Sequence, residues 1–421
     1  MKTKVFLISM MAALCLSACS NDNDEWLKGN KPQDVVITEE PITRHSYKPV
    51  ELDDTQKAIN SKLQEFSWKL FKELYVNREE GTNLMISPIS LGVDLGMFIN
   101  GLEGETLKEV LKTIGLENYS KEQINDYFKI MMNGIENADE VVAFKSANSF
   151  WYTMNGKVNT DFTSLLESNY YAKTEVVDFT DPNTKDVINA WCAEKTENRI
   201  TKMIEETSGL DLFHLMNAVY FRAKWDEVFM STETKKQIFY YADGKTEDVD
   251  MMYMRHIAYY GETDDYEITT LHFIDGSFSM LLFLPKEGAD LADAIPTTFN
   301  NESYSSIGSA INVSLWLPKF KTEYTENRLF LAMQSINPNL KFYVEDIKLF
   351  DDLEVPLLGA VQKTYINVDE EGAEAAAITD IMGCGANLVN GNAEMRFDRP
   401  FFYAIVESKT YCPLFIGYYG N

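Results

Sequence analysis

Apolar residues recur every third and fourth position over residues 54–76, where Ile59, Leu63, Phe66, Leu70 and Leu74 fall on one face, so the spacing predicts an amphipathic helix. Similar spacing predicts helices over 106–114, 121–135, 161–171 and 184–198. Residues 83–90 read as a short apolar strand ending in Ser87-Pro88, followed by a run to Asn100 whose Gly92 and Gly96 let a helix approach other backbone closely. Residues 144–152 alternate as a strand does, and 176–179 form a shorter one. The runs 212–221 and 280–284 are almost continuously apolar, which suits strands buried on both faces. Residues 311–317 alternate again. Helices dominate the first half and strands the second, which argues for an α+β fold with at least two sheets.

One stretch fits neither pattern. Residues 370–390, EEGAEAAAITDIMGCGANLVN, lie between a strand-like run at 364–368 and a strand-rich block at 395–419. A connection of that length inside a folded body is usually functional. Read with period two, Ala373, Ala375, Ala377 and Thr379 share one side, and Glu374, Ala376, Ile378 and Asp380 the other. The first side is small and uncharged throughout. Such a segment sits equally well as an exposed loop or as a buried strand, while its Ala and Glu content also suits a short helix.

The first residues read as targeting rather than structure. Residues 1–19 begin with Lys2 and Lys4, continue through an apolar run too short to span a bilayer, and end Leu16-Ser17-Ala18-Cys19. That ending resembles a bacterial lipobox and makes Cys19 the expected lipidation site. The acidic run after it resembles the surface-export signal of outer-membrane lipoproteins. Residues 20–51 are polar, carry Pro32, Pro41 and Pro49, and read as a tether. The expected location is the outer membrane, facing the cell exterior. Formal charge is −27 over 421 residues, and removal of Lys2 and Lys4 makes the chain more acidic still. Phosphates would repel such a chain, so nucleic acid is not an expected partner.

Catalytic patterns are missing. The sequence has no GxSxG, HExxH or phosphate-loop pattern, and His45, His214, His256 and His272 are scattered singly. Cys192, Cys384 and Cys412, the cysteines beyond Cys19, show no CxxC spacing, so neither a disulfide framework nor a zinc site is expected. Cys384 has no Lys, Arg or His beside it to favour a thiolate. The paired acids Asp351-Asp352 and Glu370-Glu371 suit solvated faces. The expectation is no enzyme, no metal and no cofactor.

A set of fragments then supplies a family. Asn83–Ser90, the run Asn217-Ala218-Val219-Tyr220-Phe221-Arg222-Ala223-Lys224-Trp225, Val249-Asp250-Met251-Met252, Leu284-Pro285 and Leu317-Pro318-Lys319-Phe320 follow one another in the order of the serpins. So do Phe397-Asp398-Arg399-Pro400-Phe401 and Pro413-Leu414-Phe415-Ile416-Gly417. The chain resembles that family of serine-protease inhibitors over residues 52–421. The resemblance implies helices packed around several sheets, with a large central sheet and an exposed reactive loop. It also implies that 368–377 begins the hinge of an inhibitory member, whose residues are Glu370, Gly372, Ala373, Ala375, Ala376, Ala377 and, beyond that stretch, Thr379. A protease cuts the loop, forms an acyl-enzyme, and is trapped as the loop enters the sheet.

Counting forward from the hinge puts the cut bond at Ala386-Asn387. Counting back from Phe397 puts it at Val389-Asn390, and Leu388 is a third position. No Arg or Lys lies between Gly372 and Glu394, so the implied targets are serine proteases of elastase-like or broad small-apolar specificity, with cysteine proteases as cross-class targets. Ser87, Ser90, Asn217, Trp225 and Gln362 fall where the family opens its sheet. Gln362 replaces a common histidine and is expected to keep a hydrogen bond to Asn217. Heparin is not expected, because Lys121 and Lys129 are offset by Glu122 and Asp126. A monomer is expected. The alternative is a non-inhibitory serpin acting as a surface binding module.

Overall fold

The first predicted helix begins at a reciprocal cap: Asp53 accepts from the Gln56 backbone, and the Gln56 side chain accepts from Asp53. A computed structural model describes residues 47–139, 142–355, 360–373 and 391–420, all within the unit 43–421. The signal at 1–19 with Cys19 and the tether up to residue 46 lie outside the described residues. So do Ala375, Ala376, Ala377, Thr379, Cys384 and every candidate for the cut bond, Ala386, Asn387, Leu388, Val389 and Asn390. Val50, at the end of the tether, is buried against Gly134.

In chain order the elements are α1 Asp54–Val76, β1 Leu84–Ile86, α2 Pro88–Ile99, α3 Gly104–Thr113, α4 Lys121–Glu136, β2 Ala143–Thr153, α5 Thr160–Tyr170, β3 Lys173–Val177, α6 Thr184–Lys195 and β4 Phe213–Lys224. Then come β5 Lys235–Tyr240, β6 Thr246–Glu262, β7 Tyr266–His272, β8 Phe278–Pro285, α7 Asn301–Ile307, β9 Gly308–Pro318, β10 Phe320–Glu326 and α8 Leu329–Ile336. The last are β11 Gln362–Val368, β12 Gly372–Ala373, β13 Asn392–Arg396, β14 Phe401–Glu407 and β15 Pro413–Tyr419. Two expectations shift. α6 stops at Lys195, short of 198, because Glu197 and Asn198 turn left-handed. The strand expected at 176–179 sits at 173–177, set by parallel pairing with β2, and Asp178 then starts a turn by accepting from Thr180.

The strands form two sheets, which confirms the expected α+β class. The larger has nine strands in the order β1-β15-β14-β8-β7-β6-β9-β13, with β5 paired to β6. Its central strands β8 and β14 are buried at every residue, as suits sequences that are apolar except for Ser279 in β8 and Glu407 at the end of β14. The second has six strands in the order β10-β11-β12-β4-β2-β3. α2 lies behind it, with Ser90 Oγ reaching the Asn217 carbonyl of β4 at 3.5 Å. α6 covers its outer face through a separate cluster of Trp151, Ile188, Trp191, Cys192 and Met216.

Candidate reactive-loop hinge and acceptor sheet

β12 is only two residues long, yet it occupies a full strand position. Gly372 pairs with Lys224 and Ala373 with Ala223 of β4, while Ala373 pairs with Val368 of β11 on the other side. All these pairings are antiparallel, so β11 and β4 run parallel with β12 between them. Ala373 is 1% exposed, on the side of the sheet that also buries Ala223, Ile366 and Val368. That is the small side read from period two.

The reversal from β11 into β12 is held from one direction. Asp369 N donates to the Gly372 carbonyl at 3.1 Å, and Glu371 N to Asp369 Oδ1 at 3.0 Å. Trp225 follows β4 directly and grips the turn twice: its backbone N donates to the Glu371 carbonyl and its Nε1 to the Asp369 carbonyl, both at 2.9 Å. Phe229 N adds a third bond, to the Glu370 carbonyl at 2.9 Å. The indole is fixed in turn by stacking on Phe273, with ring centroids 4.5 Å apart and planes 11° apart.

Glu370 ties the turn to two residues that flank strands of the larger sheet, Lys319 directly after β9 and Thr234 directly before β5. Its carboxylate lies 2.5 Å from Lys319 Nζ and accepts from Thr234 Oγ1 at 2.7 Å. Burial by itself would raise the carboxyl's pKa, but the Lys319 and Thr234 contacts more than offset it and hold the group below the ordinary carboxylate range. Sequence reasoning placed Glu370 and Trp225 but gave Lys319, Thr234 and Phe229 no role. Lys319 stood inside a recognised Leu-Pro-Lys-Phe fragment, which was the available signal.

Six residues down β4, about 20 Å at strand rise, lies a second group. Ser87 caps α2, its Oγ accepting from Ser90 N at 3.4 Å. Gln362, the first residue of β11, uses both ends of its amide on Ser87: Oε1 accepts from Ser87 N and Nε2 donates to the Ser87 carbonyl, each at 2.8 Å. The expected Gln362–Asn217 bond is therefore not formed. The reason is local. Ser87 sits at a strand-to-helix junction with backbone groups to satisfy, and a side-chain amide offers a donor and an acceptor together. Asn217 instead donates from Nδ2 to Ser146 Oγ at 2.8 Å and Asn148 Oδ1 at 2.5 Å. Its Oδ1 is buried with no hydrogen-bond partner among the described residues.

The structure thus joins Glu370, Gly372, Ala373 and Trp225 in one group and Ser87, Ser90, Asn217 and Gln362 near the other end of the same strands. Nothing in either group makes a nucleophile–base pair. The buried thiols of Cys192 and Cys412 are pushed up to about 12 by burial, which suits structural cysteines. Among the described residues no three His, Cys, Asp or Glu side chains are grouped to hold a metal ion.

Comparison with known proteins places this architecture. The sequence model of the family described as Serpin (serine protease inhibitor) matches residues 61–421. A serpin-like protein of Methanosarcina mazei is 24% identical over 426 residues, covering 99% of this chain and 97% of its own. Alpha-1-antiproteinase of Rattus norvegicus is 25% identical over 377 residues, covering 86% and 89%. The crystal structure of the thermophilic serpin Tengpin in its native state superposes with a TM-score of 0.78 at 26% identity, over 90% of this chain and 97% of that one. The chain belongs to the serpin family.

Proposed function

We propose that this serpin is a suicide-substrate inhibitor of serine proteases with elastase-like or broad small-apolar specificity. The carrying observation is Ala373: the first residue of the small side is buried between β4 and β11, in register with both. In the proposed mechanism the loop binds as a substrate. The protease serine attacks the carbonyl carbon at Ala386, or at Val389 on the alternative count. The C–N bond breaks, the new amine leaves with the C-terminal segment, and an ester joins the loop to the enzyme. The freed N-terminal half then extends β12 downward. Carrying the observed register forward brings Ala375 opposite Phe221, Ala377 opposite Val219 and Thr379 opposite Asn217. The pairing with β11 brings the same Thr379 to Gln362.

The energetics support a one-way step. A strand of roughly a dozen residues adds backbone hydrogen bonds worth about 1 kcal/mol each, so the release is of order 10 kcal/mol. No charged group lies on the entering side to slow it by desolvation. Two further features bear on partners. The net charge of −27 favours fast encounter with cationic proteases. Lys121, one of two lysines on α4, points its Nζ at the Leu102 carbonyl at 2.7 Å, which leaves little there for a polyanion such as heparin. Lipidation at Cys19 would hold the inhibitor, as a monomer, on the outer face of the outer membrane.

The test is incubation of residues 26–421 with neutrophil- or pancreatic-type elastase, followed by denaturing electrophoresis and mass spectrometry. The expected result is a complex that survives SDS, together with a small C-terminal fragment whose mass locates the cut bond. Clean cleavage without a complex, repeated across a panel of serine and cysteine proteases, would leave the chain as a non-inhibitory binding module.

A further inference from the structure

α2 is apolar along its length except for Ser90 and Asp94, which are four residues apart and so share one face. Ser90 turns that face to β4, where its Oγ reaches the Asn217 carbonyl. The opposite face carries Gly92 and Gly96, which stand against Phe128 of α4 and, at Gly96, the Tyr170 hydroxyl of α5. Asp94 therefore lies between α2 and the six-stranded sheet, away from α4 and α5. The residue is half-buried, but its Oδ1 is closed to solvent and has no hydrogen-bond partner among the described residues. Nothing nearby balances a charge. The side of β4 that faces α2 carries Phe213, Leu215, Asn217 and Val219, while His214 and Arg222 lie on the other side, against Phe179 and Glu197. β15, also packed on α2, has no charged residue, and its Tyr418 and Tyr419 turn to Tyr75 and Phe239. Among the described residues no charged side chain acts on Asp94, and burial alone pushes its carboxyl well above the ordinary carboxylate range. An unpaired carboxylate costs far more in such a place than a neutral acid, so the folded helix carries Asp94 protonated.

We propose that Asp94 is a proton-operated latch: α2 lies closed on the six-stranded sheet only while Asp94 holds a proton, and parting the two releases that proton. The first turn of α2 is bonded to both strands that flank β12, through Ser87 to Gln362 of β11 and through Ser90 to Asn217 of β4. Any widening between β11 and β4 must slide one of them across α2, and this lets water in to Asp94. Once hydrated, the carboxyl returns to its ordinary value and ionises. The folded-state value lies above the unfolded one, so the stabilisation is complete below the ordinary carboxylate range and is lost as pH rises towards the folded value. Over that window the open state gains about tenfold on the closed state for each pH unit. Acid keeps the sheet shut on α2, and a rise towards neutral pH frees it to open. The consequence for entry of a cut loop rests on the insertion reading given above; the latch itself does not.

The test is native-state amide exchange of the intact full chain, expressed as protection factors so that the pH dependence of the exchange chemistry drops out. In wild type the protection of α2 and β4 amides should fall about tenfold for each unit between about pH 5 and pH 7. Asp94→Asn, which keeps the shape but has no proton to lose, should be without that tenfold-per-unit fall. Infrared difference spectra supply a readout that a merely structural role would not move: at pH 7 the wild type should show the carbonyl stretch of a neutral carboxylic acid that is missing from Asp94→Asn. Asp94→Ala, a change to the strongest helix former, serves for both measurements if the amide variant does not fold. Equal slopes in wild type and variant would overturn the latch, and so would a substitution that removes no neutral-acid band. Loop cleavage by a metalloprotease, which forms no acyl-enzyme, tests insertion separately: no gain in thermal stability on cleavage of wild type would overturn insertion and leave the exchange slopes to decide the latch.

Discussion

Gly372 lies so close to Ala223 that a side-chain carbon added at position 372 would stand 2.1 Å from the Ala223 carbonyl oxygen, with the Lys224 Cα at 2.8 Å. Both obstacles are backbone, so neither can swing aside. Only glycine lets β12 pair with β4 here. Gly372→Ala should drive β12 out of the sheet, removing a few backbone hydrogen bonds worth about 1 kcal/mol each. Amide exchange at 371–373 should accelerate, and more protease should cut the loop and escape, read as a raised stoichiometry of inhibition. Unchanged exchange would mean that the strand tolerates the methyl by shifting as a unit.

The Glu370–Lys319 contact makes the hinge acid-sensitive in a defined direction. The folded-state carboxyl is held below its unfolded value, so its stabilisation is present above the ordinary carboxylate range and is lost as pH falls through the folded pKa. Glu370→Gln keeps an acceptor for Thr234 but removes the charge that faces Lys319. With the lysine side chain 39% exposed, the loss at pH 7 should be about 1 kcal/mol. The melting temperatures of wild type and Glu370→Gln should differ at pH 7 and converge below about pH 4. A gap that persisted in acid would assign the effect to amide packing rather than charge.

Period-two reading found the small side of 373–379 because alternation is a property of the strand itself. It could not reveal that Ala373 is already housed in the sheet, since that depends on Ala223 and Lys224, which are remote in sequence. The same limit hid Lys319, whose partner Glu370 lies far along the chain on another element. Gln362 was given the wrong partner. Its amide can bond almost any polar neighbour, and only the packing of β11 against the start of α2 selects Ser87 over Asn217. Helix ends moved where single residues such as Glu197 and Asn198 turn left-handed, a choice that periodicity does not register.

Gln362→His tests the Ser87 pairing. A neutral imidazole can accept from Ser87 N with one ring nitrogen, but its second nitrogen is fixed by ring geometry and cannot reproduce the paired amide. Stability should fall at every pH. Protonation removes the accepting nitrogen, so the folded-state pKa of the ring is lowered and stability is lost further as pH falls through about 6.5. Melting temperature between pH 5.5 and 7.5 should therefore become steeper with pH in Gln362→His than in the parent, and the inhibition rate should follow. Equal slopes would show that residue 362 does not hold the junction through an accepting atom.

Asn217 Oδ1 supplies the sharpest check on the destination of the loop. It is a buried acceptor without a hydrogen-bond partner among the described residues, in a cluster where Ser146 and Asn148 already take both amide hydrogens of Asn217. An unsatisfied buried acceptor costs about 1–3 kcal/mol, and a hydroxyl brought beside it would recover that. The register of β12 on β4 and on β11 independently delivers Thr379 to this level, and Thr379 carries the only hydroxyl on the entering side. Thr379→Val keeps the shape and removes the donor. Before cleavage the variant should match wild type in melting temperature and in the rate at which its loop is cut. After cleavage its gain in stability should fall short of the wild-type gain by about 1–3 kcal/mol. A full gain would mean that the entering strand takes a different register or stops above Asn217, and the forward count to Ala386 would lose its structural support. A loss confined to the cut form would fix how far the strand travels and make the vacancy at Asn217 a feature of the uncut molecule that insertion fills.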